Sequence, residues 1–229
     1  MRSRIWLAWS SGKDSAWTLH RLRQSEEYEV VGLLVTLSRP FRRVSMHGVR
    51  EEVLELQAAA VGLPLIKVWL PYPCPNEAYE AAMRDVLEQA EASGICGVAF
   101  GDLFLQDVRQ YREEQMSRTR LRPLFPLWQE DTAALAREMV RSGLRAYVVC
   151  VNPARLDPKF AGASFDEALL AQLPDGVDPC GERGEFHTLV VDGPMFRHPV
   201  CVRRGETVER DGFLYTDFLP LEAAGGNTA

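Results

Sequence analysis

Apolar residues in this chain come in short continuous runs, separated by longer stretches with helical spacing. The runs at 5–9, 30–36, 65–69, 97–101 and 146–151 read as strands. Between them, 15–24, 49–60, 76–92, 106–118 and 132–142 read as helices. In the second of these, Val49, Val53, Leu54, Leu56 and Ala60 recur near a 3.6-residue period. Gly62 and Gly143 are placed to end helices, and Asn76 and Asp131 to cap their starts. Repeated strand–helix–strand units with short loops predict a parallel sheet covered by helices on both faces. Strands as uniformly apolar as Val30-Val31-Gly32-Leu33-Leu34-Val35 fit burial on both sides.

The pattern changes after residue 152. Asn152-Pro153 breaks the last run, a short helix follows at 165–172, and 174–179 is rich in turn residues. Runs at 186–191, 200–203 and 213–218 then read as strands, so a small, partly antiparallel unit is expected. The division expected is 1–152 for the first domain, 153–222 for the second, and 223–229 as a disordered tail.

Composition narrows the class. The chain has 229 residues, 46% hydrophobic and 25% charged, which is ordinary for a globular protein. A net charge of −6 argues against broad nucleic-acid binding through a basic face. The arginines at 112, 118, 120 and 122 read as a solvated helix face and turn. Cys74, Cys96, Cys150, Cys180 and Cys201 are widely spaced, without a C-x-x-C pair, and Cys96 and Cys150 lie in apolar runs. They read as small buried hydrophobes in a reducing compartment. Met1-Arg2-Ser3-Arg4 leads straight into the first strand, unlike a signal peptide, and no apolar stretch is long enough to span a bilayer. A cytoplasmic protein without membrane partners is expected.

Ligands of parallel sheets bind beyond the carboxyl ends of the strands. Three segments lie there: Ser10-Ser11-Gly12-Lys13-Asp14-Ser15 after the first strand, Gly101-Asp102 after the fourth, and the stretch from Thr36 towards His47. The first is a tight loop of small residues between a strand and a helix, which aims N–H groups and a helix N-terminus at one point. With two serine hydroxyls and a lysine beside them, the chemistry suits pyrophosphate. It is not a Walker A loop, since Leu7 stands five residues before Gly12 and Asp14 follows Lys13. A second polar cluster, Asp178-Pro179-Cys180-Gly181-Glu182-Arg183-Gly184-Glu185-Phe186-His187-Thr188, precedes an apolar strand. On an extended backbone Glu185 and His187 share a face, so that Glu185 could orient His187. Cys180, His187, His198 and Cys201 also invite a zinc reading. They lack the close cysteine pair with which structural zinc sites usually open.

The loop at 10–15 resembles the S-G-G-x-D-S signature of the PP-loop ATP pyrophosphatases, with Ser11 where that family has glycine. Serine disfavours positive φ, so either the loop is reshaped or the position does not need it. Together with Met46-His47-Gly48, Gln57-Ala58, Gly101-Asp102, Pro126-Leu127-Trp128, the 178–188 cluster and Val191-Asp192-Gly193-Pro194-Met195-Phe196, the chain resembles the diphthine–ammonia ligase family over nearly all of residues 3 to 200. That resemblance implies an α/β fold: a HUP-type, Rossmann-like parallel sheet with helices on both faces, plus a small C-terminal α+β domain holding the acceptor.

It also implies an enzyme that uses ATP to adenylate a carboxylate, releases AMP and pyrophosphate, and couples ammonia to the acyl group. The acceptor would be diphthine on elongation factor 2 in archaea or eukaryotes, and another carboxylate in bacteria. Ser10, Ser11, Gly12, Lys13, Asp14, Ser15, His47 and Gly101 are the candidate ATP-binding residues. Lys13, Asp14, Glu182, Glu185 and His187 are the candidate catalytic residues. Glu182, Glu185, His187 and Thr188 are the candidate acceptor side. Asp102 is a candidate Mg2+ ligand or a helix cap. Glu185 and His187 stay open as the group that handles the proton. Rival readings are a PP-loop thiolation enzyme, which wants a reactive cysteine, and a nucleotide sensor without turnover. A homo-oligomer stays open too, with aromatics near Trp128 and Phe160 as candidate interface or core.

Overall fold

The computed structural model describes residues 1–221. The expected disordered tail at 223–229 lies outside the described residues. A six-stranded sheet forms first. Its order is β3 (Arg43–Val44), β2 (Tyr28–Ser38), β1 (Ser3–Ala8), β5 (Gly97–Ala99) and β6 (Arg122–Leu124), and β4 (Leu65–Leu70) also pairs with β2. All pairings are parallel except β2 with β3. The helices are α1 (Lys13–Arg23), α2 (Glu51–Val61), α3 (Asn76–Ala92), α4 (Gln106–Met116) and α5 (Thr132–Arg141).

The alternation of β1 explains why both faces are covered. Ile5 and Leu7 enter one buried cluster with Trp17, Leu19 and Val53 from α1 and α2. Trp6 enters the opposite one with Val86, Leu87 and Met116 from α3 and α4. Gly62 ends α2 at φ 72°, the left-handed conformation a C-terminal cap requires. Asp131 caps α5 by accepting the Ala134 N–H at 2.8 Å. Asn76 does not cap α3: Pro75 holds that position and Asn76 is the first helical residue.

The second sheet is fully antiparallel, in the order β8 (Phe186–Asp192), β7 (Arg145–Val151), β10 (Phe213–Pro220) and β9 (Val202–Arg210). This corrects one expectation. The run at 146–151 is not a strand of the parallel sheet; it is β7, with antiparallel partners on both sides. A continuous apolar run marks burial on both faces but not which sheet a strand joins. The strand expected at 200–203 is also longer and later, because β9 is an edge strand whose mostly exposed charged residues hide it from hydrophobic patterning. A short helix, α6 (Glu167–Gln172), starts within the stretch expected to be helical. Residues of this sheet, including Val148, Phe186, Leu189 and Phe218, join the same buried cluster as α1 and α2.

Phe160 is buried core, and Trp128 is half-buried beneath the Arg109 guanidinium at 4.7 Å. Cys150 and Cys180 are buried, whereas Cys96, expected inside, is exposed. Among the described residues, no helix is long and apolar enough to cross a membrane.

Asp217 of β10 ties the second sheet back to the first unit. Its carboxylate accepts from Arg43 at 2.8 Å and from both ends of the Arg50 guanidinium at 2.6–3.0 Å. Burial works against its ionisation, but the Arg50 and Arg43 hydrogen bonds outweigh it and hold the pKa down to about 2. The sign follows: this stabilisation is present above the ordinary carboxylate pKa and is lost as pH falls through about 2. Asp217→Asn is expected to lower stability at neutral pH by about 1.5–3 kcal/mol, the worth of charge-assisted hydrogen bonds. Urea unfolding measures it, and an unchanged midpoint refutes the tie.

Candidate functional site

Beyond the carboxyl ends of β1, β2 and β5 lies a cavity of about 930 Å³. One wall is the loop at 10–15. Its hydroxyls and amides form a closed set: Ser10 Oγ lies 3.2 Å from Ser15 Oγ, Gly12 N–H donates to Ser10 Oγ at 3.3 Å, and Ser15 Oγ donates to the Gly12 carbonyl at 2.9 Å. These hydroxyl acceptors occupy positions that phosphate oxygens can take at a helix N-terminus. Ser11 is left-handed, at φ 69°, so the position that carries serine instead of glycine does require positive φ. A serine there carries about 1–2 kcal/mol of conformational strain. Its side chain is fully buried and its hydroxyl has no partner.

The adjoining wall is the 178–188 cluster. Its strand, β8, docks directly on the loop: Lys13 N–H donates to Thr188 Oγ1 at 3.0 Å, and Val190 N–H donates to the Ser11 carbonyl at 2.9 Å. Lys13 is 2% exposed. Its ammonium donates to Asp14 at 2.9 Å and to the Cys180 carbonyl, and lies 5.7 and 5.5 Å from the centres of the Phe165 and Phe186 rings. Burial opposes its charge, but Asp14 and the polarity around Cys180 outweigh that and raise its pKa. Asp14 is pushed up by burial, against the pull of Lys13.

Two glutamates of the cluster part company. Glu182 lines the cavity and accepts the Leu103 N–H at 2.7 Å. Burial drives its pKa up to about 7, opposed by the Leu103 bond and reinforced by Asp14 and Asp102. Glu185 is not among the cavity-lining residues. Its Oε1 accepts the Asp178 N–H at 3.1 Å, and no hydrogen bond joins it to His187. His187 instead lies against His47, with ring centres 4.6 Å apart. Both imidazoles are held neutral, His187 at a pKa of about 4 through burial and the nearby Lys13 charge, and His47 well below its usual value through burial and His187.

His47 reaches this place because β2 outruns β1. Past Ala8, β3 takes the vacated edge of β2, and the turn after it brings the imidazole over Gly12. A two-residue strand in an arginine-rich stretch leaves no periodic signal. Gly101 is where the backbones crowd: a Cβ there would lie 3.0 Å from the Asp14 carbonyl carbon and 3.1 Å from Ser15 N.

Asp102 does not cap α4, whose N-cap position is Leu105. It faces Arg112 at 3.6 Å, and its Oδ2, the Arg112 Nε and Asp14 Oδ1 are all buried without a hydrogen-bond partner. Arg112 is therefore not part of a solvated basic face. It packs 4.9 Å from the Phe100 ring centre and lines the cavity. Nothing in the sequence distinguishes it from its neighbours. Asp178 was also hard to single out: its carboxylate accepts from Thr132 at 2.5 Å and from Glu182 N–H at 2.9 Å, closing the cluster into a rigid loop.

Among the described residues, no three His, Cys, Asp or Glu side chains gather as a metal site, so Cys180, His187, His198 and Cys201 make no zinc centre. Two carboxylates with unpartnered oxygens, Asp14 and Asp102, do suit a magnesium ion that completes its shell with water and phosphate.

Fold and site together define a Rossmann-like α/β protein with a small-residue strand–loop–helix, closed over by a second, antiparallel sheet. The family described as diphthamide synthase N-terminal domain matches residues 3–122, and that described as diphthamide synthase C-terminal domain matches residues 131–218. The chain is 32% identical to a diphthine–ammonia ligase of Danio rerio over 189 residues, covering 75% of this chain and 74% of the relative. It is 30% identical to that of Homo sapiens over 194 residues, with 76% and 72% covered. To that of Rattus norvegicus it is 29% identical over 237 residues, with 93% and 88% covered. This chain belongs to the diphthine–ammonia ligase family.

Proposed function

We propose that the chain is an ATP-dependent carboxylate–ammonia ligase of the diphthamide type. The observation that carries this reading is that the two signatures, 10–15 and 180–188, far apart in sequence, form adjoining walls of one cavity. An acceptor carboxylate oxygen attacks the α-phosphorus of ATP, and the bond to the β-phosphate oxygen breaks. Pyrophosphate leaves into the cradle of Ser10, Ser15, Lys13 and the loop N–H groups, which stabilise the charge gathering on it. Ammonia then adds to the acyl carbon of the mixed anhydride, AMP departs, and Glu182 takes the proton shed by nitrogen.

Glu182 is preferred to both earlier candidates. Glu185 faces away from the cavity and braces the loop through Asp178, and His187 is too weak a base. Asp14 and Asp102 are the residues that would hold Mg2+, whose charge offsets that of the phosphates. His47 and Gly101 shape the loop, and Thr188 joins it to the acceptor wall. The acceptor, diphthine of elongation factor 2 or another carboxylate, and a cytoplasmic setting belong to the same proposal.

The test is incubation with ATP, magnesium, ammonium and elongation factor 2 carrying diphthine. Stoichiometric AMP and an amide in the acceptor are expected; ATP bound without any AMP would favour a sensor. The thiolation rival is disfavoured by Cys180, whose buried thiol donates to the Thr132 carbonyl at 3.4 Å and is pushed by burial well above the usual thiol range. Cys180→Ala is expected to keep AMP formation within about threefold, since only a weak thiol bond is lost. Loss of turnover with ATP binding intact would revive the sulfur route.

A further inference from the structure

Gln57 has no part in the chemistry above, yet it is fully buried on the core face of α2, three and four residues from Leu54 and Val53. Both ends of its amide are in use. Its Oε1 accepts the Trp9 indole N–H at 3.1 Å. Its Nε2 donates to the Ser11 carbonyl at 3.1 Å and to the Val190 carbonyl at 2.6 Å. The same Ser11 carbonyl accepts the Val190 N–H at 2.9 Å. One side chain thus joins the segment leaving β1, the phosphate-type loop, β8 of the second sheet and α2.

The carbonyl it holds is the one that matters for the loop. Ser11 C=O and Gly12 N–H belong to one planar peptide and point in opposite directions. With the oxygen drawn inward by Gln57 and Val190, the Gly12 N–H must point out towards Ser10 Oγ on the cavity wall. In this arrangement Ser11 sits at φ 69°, which a serine keeps only where its surroundings over-determine it. The Ser11 hydroxyl supplies no bond of its own.

We propose that Gln57 is a positioning residue that holds Ser11 left-handed and so aims the loop N–H groups at the pyrophosphate part of the nucleotide. This rests on the ATP reading above. It assigns a role to Gln57, which neither the cradle nor the acceptor wall uses. It also accounts for how serine is tolerated at a position that favours glycine: the amide supplies from outside what glycine would supply from its own backbone.

The test is a double-mutant cycle read by calorimetric binding of inorganic pyrophosphate and of AMP. Gln57→Met is expected to weaken pyrophosphate binding roughly tenfold, the worth of one charge-assisted hydrogen bond, while AMP affinity stays within about twofold. Ser11→Gly sets the second background of the cycle, because glycine adopts this φ unaided. In the Ser11→Gly background the effect of Gln57→Met on pyrophosphate should shrink to under about threefold, a coupling that distant or merely structural sites do not show. Equal losses in both backgrounds, or parallel losses of AMP and pyrophosphate, overturn the proposal.

If Gln57→Met does not fold, Trp9→Phe removes only the donor to Oε1. It should give the same selective loss in smaller measure; unchanged pyrophosphate binding overturns the proposal equally. A wild-type chain that takes up neither ATP nor pyrophosphate refutes the ATP reading itself. That outcome differs from a wild-type chain that binds both while the cycle shows no coupling.

Discussion

Lys13→Ala and Asp14→Ala are each expected to abolish measurable AMP formation. On the proposed reading Lys13 supplies the buried ammonium of the pyrophosphate cradle, and removing a single donor of this kind typically costs 10²–10³ in rate, about 2.7–4 kcal/mol. The loss should fall on turnover more than on ATP affinity, since charge on the leaving oxygens is greatest in the transition state. Asp14 acts differently. Its Oδ2 holds the ammonium and its Oδ1, buried without a partner, is free for a metal ion. Its removal both releases Lys13 and removes half of the expected magnesium site. Quenched-flow or steady-state AMP assays with matched ATP-binding measurements decide it. Near-normal turnover in either variant would mean that the loop's roles are wrongly assigned.

Glu182→Gln is expected to separate the two half-reactions. Adenylation should persist, with AMP appearing through hydrolysis of the mixed anhydride, while amide formation falls about 10²–10⁴-fold, the usual contribution of a positioned general base. In the wild type, amide formation measured at fixed free ammonia should rise with pH and level off with an apparent pKa near 7, the value burial gives Glu182. The glutamine variant should lack that limb.

Stability should move the other way. Folding raises the pKa of Glu182, so the stabilisation it contributes is complete below the unfolded carboxylate pKa and fades as pH rises through about 7. Glutamine can still accept the Leu103 N–H and carries no charge to bury. The variant should therefore melt higher than wild type above pH 7, and by a shrinking margin on acidification. An inactive variant that is also less stable at pH 8 would show that Glu182 serves the fold rather than the reaction.

The architecture was largely legible because its signal is local. Residues 76–92 form α3 as read, and β1, β2, β4 and β5 fall within a few residues of their apolar runs, since hydrophobic periodicity and glycine caps act over one or two turns. The loop at 10–15 was legible for the same reason: strand, small residues and helix are contiguous. Failures came where the deciding partner is remote. β7 carries the same apolar run whether its neighbours are parallel or antiparallel, and only the return of β8 and β10 settles which. Arg112 looks like any other arginine of a polar helix until α4 turns it onto Phe100 and Asp102.

The candidate site divides along the same line. The kinds of groups were set by sequence: a small-residue loop with Lys13 and Asp14, and a glycine-flanked cluster with two glutamates and a histidine. Tertiary structure decided which of them meet. Docking β8 on the loop turned Thr188 and Glu182 towards the cavity, sent Glu185 to brace Asp178, and set His187 against His47. Extended geometry alone had grouped Glu185 with His187, because period-two reasoning assigns faces but not what each face will meet. Ser11 shows the division most closely. Its identity as serine was plain and its strain could be foreseen, but whether positive φ is needed depends on Gln57 and Val190, brought up from 46 and 179 residues away. A chain's local preferences fix its elements; the desolvation and hydrogen bonding that tune a site exist only once distant segments have closed around it.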